Sequence, residues 1–267
     1  MSNNKIGFLG AGRMATAIAG GMVKNGFSSA EIAAFDCSEA AGKAFAAAVG
    51  CEICADPQAM IRECGTLVLA VKPQYLAEAL KPLSGMLTDK LVISIVAGVT
   101  LEKLGSLTGA SRIVRVMPNT PALVGEGCGA YSVSPSATAD DRQLAEKILA
   151  SIGGFYLLEE KMLDAVTAVS GCGPAYIYEL IQAMADGGVT LGLPRDLAKK
   201  LAAATVKGAA AMVLETNIHP TELRDQVCSP GGSTICAVNH LSSKGFSGTI
   251  VEAELAAYKR SVELGKA

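Results

Sequence analysis

Several kinds of residue and pattern are scarce in this 267-residue chain, and their scarcity excludes whole classes of protein. The chain has no tryptophan, and only 4% of its residues are aromatic. Its 23 Lys and Arg nearly balance its 25 Asp and Glu, and no basic run could follow a nucleic acid or an anionic membrane. No apolar stretch reaches membrane-spanning length without Gly or a charged residue. The sequence therefore predicts neither a nucleic-acid partner nor a membrane partner.

Patterns for metal binding and for disulfides are missing as well. Eight cysteines are scattered without the spacing of a disulfide framework, and we interpret them as reduced thiols. Cys51-Glu-Ile-Cys54 is a single C-x-x-C pair, and the two histidines, His219 and His240, lie in no recognisable motif. We therefore predict no metal site. The short polar N-terminus leads straight into a strand and leaves no room for a signal peptide, which predicts a cytoplasmic protein.

A glycine-rich turn near the N-terminus organises the rest of the chain. Residues 5–9 form an apolar run long enough for one buried strand, and Gly10-Ala-Gly12-Arg-Met-Ala15 follows at once, before an apolar-periodic helix. This is the Gly-x-Gly-x-x-Gly/Ala pattern in its proper context, with a strand before it and a helix after it. Gly12 has no Cβ, so the backbone can approach a pyrophosphate, to which the helix N-terminus offers free N–H groups. The pattern predicts a dinucleotide site.

The next predicted strand, residues 31–35, ends in Asp36. A carboxylate there, 26 residues after Gly10, is placed to accept hydrogen bonds from the 2′-hydroxyl of an adenosine ribose. Such a contact would favour NAD(H), because the same carboxylate repels a 2′-phosphate. A helix-capping or solvated aspartate explains Asp36 nearly as well.

Strands and helices continue to alternate as far as residue 158. Further strands are predicted near residues 52–54, 66–71, 91–95, 112–116, 127–133 and 154–158. Small or polar loops follow three of them, at residues 70–73, 96–98 and 117–121. Ligands of an open parallel sheet bind at the carboxyl ends of its strands, so we expect these loops to border a nicotinamide.

The composition changes near residue 159, where Ala, Gly and Leu replace the β-branched strand runs. Long helices are predicted at residues 174–191 and 195–215, with small or apolar side chains on every face. We predict that a homodimer core buries them, in preference to docking on the protein's own sheet. The predicted fold is α/β, with a Rossmann-like dinucleotide-binding domain over residues 1–158 and an all-α dimerisation and substrate-binding domain over residues 159–267.

One loop of the second half could carry chemistry. Ser229-Pro-Gly-Gly-Ser-Thr234 enters a predicted helix through a Pro-Gly-Gly turn that exposes N–H groups with little side-chain cover. Such a turn can hold a carboxylate. An ordinary helix N-terminus capped by Ser or Thr explains the pattern equally well.

Short motifs spread over essentially the full length match those of a known enzyme family. They are Gly10-Ala-Gly12-Arg-Met14, Ala70-Val-Lys-Pro73, Ala97-Gly98-Val-Thr100, Val116-Met-Pro-Asn-Thr-Pro-Ala122, Ser170-Gly-Cys-Gly-Pro-Ala-Tyr176, Ala185-Asp-Gly-Gly188 and Val227-Cys-Ser-Pro-Gly-Gly-Ser-Thr-Ile235. With these motifs the chain resembles the pyrroline-5-carboxylate reductase family. The resemblance implies a homodimer or higher oligomer that reduces (S)-1-pyrroline-5-carboxylate to L-proline by hydride transfer to the imine carbon, the last step of proline biosynthesis. It implies NADP(H) as the cofactor, with NAD(H) as an alternative.

The resemblance also assigns roles to single residues. It implies that Thr234 is catalytic and contacts the imine nitrogen, while N–H groups of residues 231–234 hold the substrate carboxylate. The predicted substrate set is Met117, Asn119, Gly231, Gly232, Ser233 and Thr234. Together with the glycine-rich turn, the resemblance predicts a cofactor set of Leu9, Gly10, Ala11, Gly12, Arg13, Met14, Asp36, Ala70, Val71, Lys72, Pro73, Val96 and Ala97.

Two other functions share part of the pattern. A 3-hydroxyacid dehydrogenase has the same two-domain plan, but it needs a lysine on the long helix to move the alcohol proton, where this chain has Ile177. A non-catalytic dinucleotide sensor would have no use for Thr234 in its motif. Because a protonated cyclic imine is already an electrophile, a chain that lacks a strong base can reduce it by positioning.

Overall fold

An eight-stranded sheet organises the first part of the chain in the computed structural model, which describes residues 5–266. Its strands are β1 (Ile6–Leu9), β2 (Ile32–Phe35), β3 (Glu52–Ile53), β4 (Thr66–Leu69), β5 (Leu91–Ser94), β6 (Arg112–Met117), β7 (Gly127–Val133) and β8 (Gly153–Leu157). They lie in the order β3-β2-β1-β4-β5-β6-β7-β8. The strands predicted from the sequence are confirmed.

The strands from β1 to β6 are parallel, whereas β7 runs antiparallel to β6. Only residues 118–126 separate β6 from β7, and a parallel crossover needs a dozen or more residues. The helix α6 (Ala139–Ala150) then carries the chain back, so that β8 pairs parallel with β7. The expected parallel sheet is therefore confirmed for the strands that carry the predicted cofactor residues.

Two apolar clusters lie on opposite faces of this sheet. Successive strand residues alternate between them, so that Phe8 and Val68 belong to one cluster and Leu9 and Leu69 to the other. The first cluster is completed by α1 (Arg13–Lys24), α2 (Glu39–Val49) and α6, and the second by α3 (Pro57–Glu63), α4 (Leu76–Leu80) and α5 (Leu101–Thr108). The three layers form a Rossmann-like domain.

Side chains cap four helices of this layered domain. Ser38, Asp56, Thr100 and Thr138 accept hydrogen bonds from the N–H groups three residues further on, at the starts of α2, α3, α5 and α6. Each such cap stabilises its helix by about 1 kcal/mol.

Most of the remaining helical residues form a second unit. After α7 (Leu163–Val166) and a π-helical turn (Thr167–Gly171) come α8 (Gly173–Thr190), α9 (Arg195–Thr216), α10 (Pro220–Gln226), α11 (Ser233–Ser243) and α12 (Phe246–Lys266). Gly173–Ala256 is compact by itself, whereas α12 from Ala257 onward belongs to the first unit. Within the described residues, no helix combines the length and apolarity that a bilayer crossing requires.

The pairing of α8 with α9 depends on small residues. A Cβ added to Gly188 would lie 3.1 Å from the Cβ of Ala198, so the two helices approach closely at this point. Ala185, Ala198 and Ala202 form the buried core of the pair. Large apolar side chains nevertheless remain outside this small core, among them Leu191 and Leu214, which are 87% and 80% exposed in the single chain.

Candidate active site

The predicted cofactor residues of the first unit lie along one edge of the sheet. The glycine-rich turn follows β1, Asp36 follows β2, and the loops that begin at Ala70 and Ile95 follow β4 and β5. Met117 is the last residue of β6. Because these strands are parallel neighbours, their carboxyl ends meet at the same edge, with the glycine-rich turn at the switch point between β1 and β4.

The geometry of the glycine-rich turn explains both of its glycines. Gly10 has a φ of 101°, a left-handed value that L side chains rarely adopt. A Cβ at Gly10 would also lie 2.7 Å from the carbonyl oxygen of Ala70. At Gly12, by contrast, an added Cβ would meet no heavy atom within 4 Å. Gly10 is therefore required by the fold, whereas Gly12 leaves open space beside the backbone.

The first turn of α1 keeps its backbone N–H groups available. Gly12 is the N-cap residue, no side chain caps the helix, and no acidic residue lies in its first turn. An uncapped helix N-terminus carries unpaired donors and a partial positive charge. This helix start therefore suits a phosphate group.

Asp36 is held by the backbone on both sides of its carboxylate. Its Oδ2 accepts from the N–H of Ala11 at 2.8 Å, and its Oδ1 accepts from the N–H of Ser38 at 2.8 Å. Ser38, not Asp36, caps α2. The half-buried carboxylate is therefore neither a helix cap nor a freely solvated group, and it lies beside the turn where we expect the adenosine ribose.

The other members of the predicted cofactor set differ in what they expose. The side chains of Leu9 and Val96 are buried in the core, each with 2% exposure, so they support the backbone of the site by packing beneath it. Arg13, Lys72, Pro73 and Ala97 are exposed, whereas Met14, Ala70 and Val71 are half-buried. The carbonyl of Leu9 accepts from the N–H of Ala70, which ties the turn after β1 to the end of β4.

Asn119 braces the loop that follows β6. Its Nδ2 donates to the carbonyl oxygen of Ser170 at 3.0 Å, and its Oδ1 accepts from the N–H of Cys128 at 3.0 Å. The residue is buried, and both ends of its amide bind backbone groups. Asn119 therefore fixes the shape of this loop, a role that the sequence did not reveal.

The predicted substrate loop of the second unit also ends in an uncapped helix. Gly231 has a φ of 70°, and the N–H of Gly232 donates to the carbonyl of Ser229 at 3.0 Å. Gly232 is the N-cap of α11, which has neither a capping side chain nor an acidic residue in its first turn. The alternative of a helix capped by Ser or Thr is therefore wrong. Ser233 and Thr234 are exposed.

Histidine and cysteine supply no competing centre in the described part of the chain. Nδ1 of His219 accepts from the N–H of Thr221 at 3.2 Å and so caps α10. All eight cysteines are free, and burial raises the pKa of Cys51 and Cys64 to about 11. No group of three or more metal-ligating side chains was found among residues 5–266.

A cavity lies at the opposite edge of the sheet. Its volume is about 870 Å³, and the first residues of four strands line it: Ile6, Thr66, Leu91 and Arg112. Its cations are already engaged, since Arg112 pairs with Asp141 at 3.2 Å and Lys147 lies 4.6 Å from the ring centre of Phe27. None of the predicted site residues lines it.

Comparisons with known proteins match the chain to one enzyme family over its whole length. A family model described as pyrroline-5-carboxylate reductase dimerisation matches residues 160–264, and one described as NADP oxidoreductase coenzyme F420-dependent matches residues 5–98. The pyrroline-5-carboxylate reductase of Methanosarcina acetivorans is 44% identical, with 100% of both chains covered. That of Glycine max is 43% identical, covering 97% of this chain and 95% of the relative. Among solved structures, Plasmodium falciparum pyrroline carboxylate reductase with NADP bound has a TM-score of 0.88 at 34% identity, covering 99% of each chain.

Proposed function

The chain belongs to the pyrroline-5-carboxylate reductase family, and we propose that it uses two uncapped helix starts, those of α1 and α11, for the two reactants. It is an oxidoreductase that reduces (S)-1-pyrroline-5-carboxylate to L-proline with NADP(H). The observation that carries this function is the match of the whole chain, at 44% identity, to a reductase of that name. The geometry adds an anion-binding helix start to each of the two predicted sites.

The first unit has residues that fit a dinucleotide. The pyrophosphate would lie against the N–H groups at the start of α1, where Gly12 leaves open space. The adenosine ribose would lie beside Asp36, and the nicotinamide beside the loops after β4, β5 and β6. When bound, the cofactor supplies the hydride. NADP(H) is the cofactor, and we propose that NAD(H) also binds, because Asp36 suits an unmodified ribose.

The second unit has residues that fit the substrate carboxylate and its ring nitrogen. The N–H groups of Gly231, Ser233 and Thr234 would donate to the carboxylate, whereas that of Gly232, also expected there, already donates to Ser229. The hydroxyl of Thr234 would accept from the protonated imine. These donors lie at the start of α11 and on exposed side chains, so no helix rearrangement is needed to reach them. Since the protonated imine is already electrophilic, this reduction needs orientation and one hydroxyl at the nitrogen, not a strong base.

We propose further that the chain functions as a homodimer through residues 159–267. The family model matched over residues 160–264 is itself described as a dimerisation model. The exposed large apolar residues of α8 and α9 support the same assignment, because large exposed apolar patches mark interaction sites.

A spectrophotometric assay tests the proposed function directly. We expect the purified protein to oxidise NADPH in the presence of pyrroline-5-carboxylate, with one L-proline formed for each NADPH consumed. A 3-hydroxyacid with NADP⁺ is the control, and it should give no reduction of the nucleotide. Binding of NADPH without turnover of the imine would instead favour the sensor.

A further inference from the structure

We propose that Gly171, which lies outside the predicted site, positions the side chain of Met117 for the reduction. This inference rests on the proposed function, because it requires a nicotinamide at the carboxyl end of β6. Its physical basis is one juxtaposition: the terminal methyl of Met117 occupies the space that a side chain at residue 171 would need.

The contact is defined by the position of Met117 Cε. A Cβ added to Gly171 would lie 2.5 Å from this atom, and the next nearest atom, Cγ2 of Thr167, would be 3.6 Å away. Met117 is therefore the obstacle to a side chain at this position. Without a side chain at residue 171, the tip of Met117 rests directly on the π-helical turn.

The loop that carries Met117 also fixes this turn. The Nδ2 of Asn119 donates to the carbonyl oxygen of Ser170, the residue before Gly171. Within the turn, the N–H of Cys172 donates to the carbonyl of Thr167 at 2.8 Å, which closes the wide π-type ring. Asn119 therefore fixes the position of the π-helical turn relative to the side chain of Met117. π-Helical turns of this kind are frequent at functional sites.

The backbone of Gly171 does not itself require glycine. Its φ is not among the positive values of the described chain, so alanine fits the local conformation. The clashing atom is the far end of a flexible methionine, which can move aside. It would need to move by about 1 Å to reach an ordinary carbon–carbon distance. Displacements of that size near reacting atoms can lower rates by about a hundredfold.

The test is a double-mutant cycle on kcat and thermal stability. We expect Gly171→Ala to lower kcat for pyrroline-5-carboxylate by about tenfold while the Tm stays unchanged. NADPH deuterated at C4 should show a larger isotope effect on kcat in this variant, because hydride transfer is the slowed step. In a Met117→Ala background, Gly171→Ala should cause no further loss. Gly20→Ala, in α1, is the matched control, since nothing lies within 4 Å of an added Cβ there.

Each other outcome overturns the proposal. A Gly171→Ala variant with wild-type kcat shows that the position of Met117 does not matter. An equal loss of kcat in both backgrounds shows that Gly171 acts independently of Met117. A large fall in Tm shows that Gly171 serves the fold. An inactive wild-type protein would contradict the proposed function instead, so the two failures are distinguishable.

Discussion

The backbone N–H of Ala11 donates to Oδ2 of Asp36, so the carboxylate at the end of β2 holds the glycine-rich turn in place. The two residues follow neighbouring strands, and this hydrogen bond joins the carboxyl ends of β1 and β2. In our assignment Asp36 would act on the cofactor in two ways. Its negative charge would oppose a 2′-phosphate, and its hydrogen bond would shape the turn proposed to meet the pyrophosphate.

The first prediction separates these two effects. Asp36→Ser should raise the NADPH/NADH ratio of kcat/KM by about tenfold, because a repulsion of roughly 1 kcal/mol or more is removed. It should also lower kcat/KM for both cofactors, since the turn loses its acceptor. Asp36→Asn keeps one carbonyl acceptor and should raise the ratio with less overall loss. An unchanged ratio in both variants would show that Asp36 does not face the ribose.

Thr234 is the subject of the second prediction. Thr234→Ala should lower kcat for pyrroline-5-carboxylate by about ten- to a hundredfold, since one hydrogen bond to a charged group contributes roughly 1.5–3 kcal/mol. Thr234→Ser should recover most of the rate, because the hydroxyl and not the methyl is needed. NADPH binding, measured by fluorescence, should stay nearly intact in both variants.

Ser233→Ala is the matched control for Thr234, because Ser233 contributes only its backbone N–H in our assignment. Its kcat should remain close to the wild-type value. If Ser233→Ala were the impaired variant, or if Thr234→Ala turned over normally, the contact with the imine nitrogen would be misassigned.

The third prediction concerns assembly. Light scattering at micromolar concentration should give the mass of a dimer or a multiple of it. Leu197 and Leu201 lie one turn apart on α9 and are 45% and 49% exposed in the single chain. Replacing both by Lys should shift the mass towards the monomer, because charged residues disfavour an apolar interface. Lys199→Ala is the control, and a folded, active wild-type monomer would contradict the assignment.

A partly buried ion pair gives the fourth prediction. Arg115 is 7% exposed, and its guanidinium donates to Oε1 of Glu160 at 2.8 Å. The same oxygen accepts from the N–H of Leu101, at the start of α5, at 2.6 Å. Glu160→Ala leaves both donors unpaired and should reduce the free energy of unfolding in urea by about 2–4 kcal/mol. Glu160→Gln keeps an acceptor and should lose less; equal losses would show that the hydrogen bonds are unimportant.

Cysteine reactivity provides the fifth prediction. Burial raises the pKa of Cys64 to about 11, so very little thiolate is present at pH 8. Iodoacetamide should therefore label the exposed Cys37 well before Cys64, and labelling of Cys64 should increase as the pH rises towards that pKa. Peptide mass spectrometry after timed labelling measures both rates. Fast labelling of Cys64 in the native protein at pH 8 would contradict the described burial.

Local chemistry made most element boundaries predictable. Asp56 with Pro57 begins α3, Thr100 begins α5, and Gly26 follows the end of α1 with a φ of 92°. Each of these signals acts within a few residues of itself, so a single sequence contains it in full. The apolar strand runs were equally clear, because strands buried on both faces have no polar side to interrupt them.

Features that depend on distant residues were not predictable in the same way. The direction of β7 follows from its short connection to β6, because the residues of a strand show the same pattern in either direction. The π-helical turn at Thr167–Gly171 has a composition that suits an ordinary helix. The carbonyl of Ser170 in this turn accepts from Asn119, which is far away in the sequence. No pattern in the sequence indicates the hydrogen bond from the N–H of Ala11 to Asp36.

The two helices that begin at Gly12 and Gly232 lack a capping group, and in our proposal each reactant would supply one. Ser38 or Thr100 completes its helix with a side chain, whereas α1 and α11 have no such group of their own. In the proposed function the cofactor and the substrate would cap these helices while bound, and each should increase hydrogen-exchange protection in the first turn of its own helix. A serine placed at Gly12 would supply the cap permanently, stabilising the empty protein by roughly 0.3 kcal/mol at the expense of the ligand it displaces. Gly12 thus leaves the start of α1 uncapped, at a small loss of stability, so that a cofactor released after every turnover could bind there.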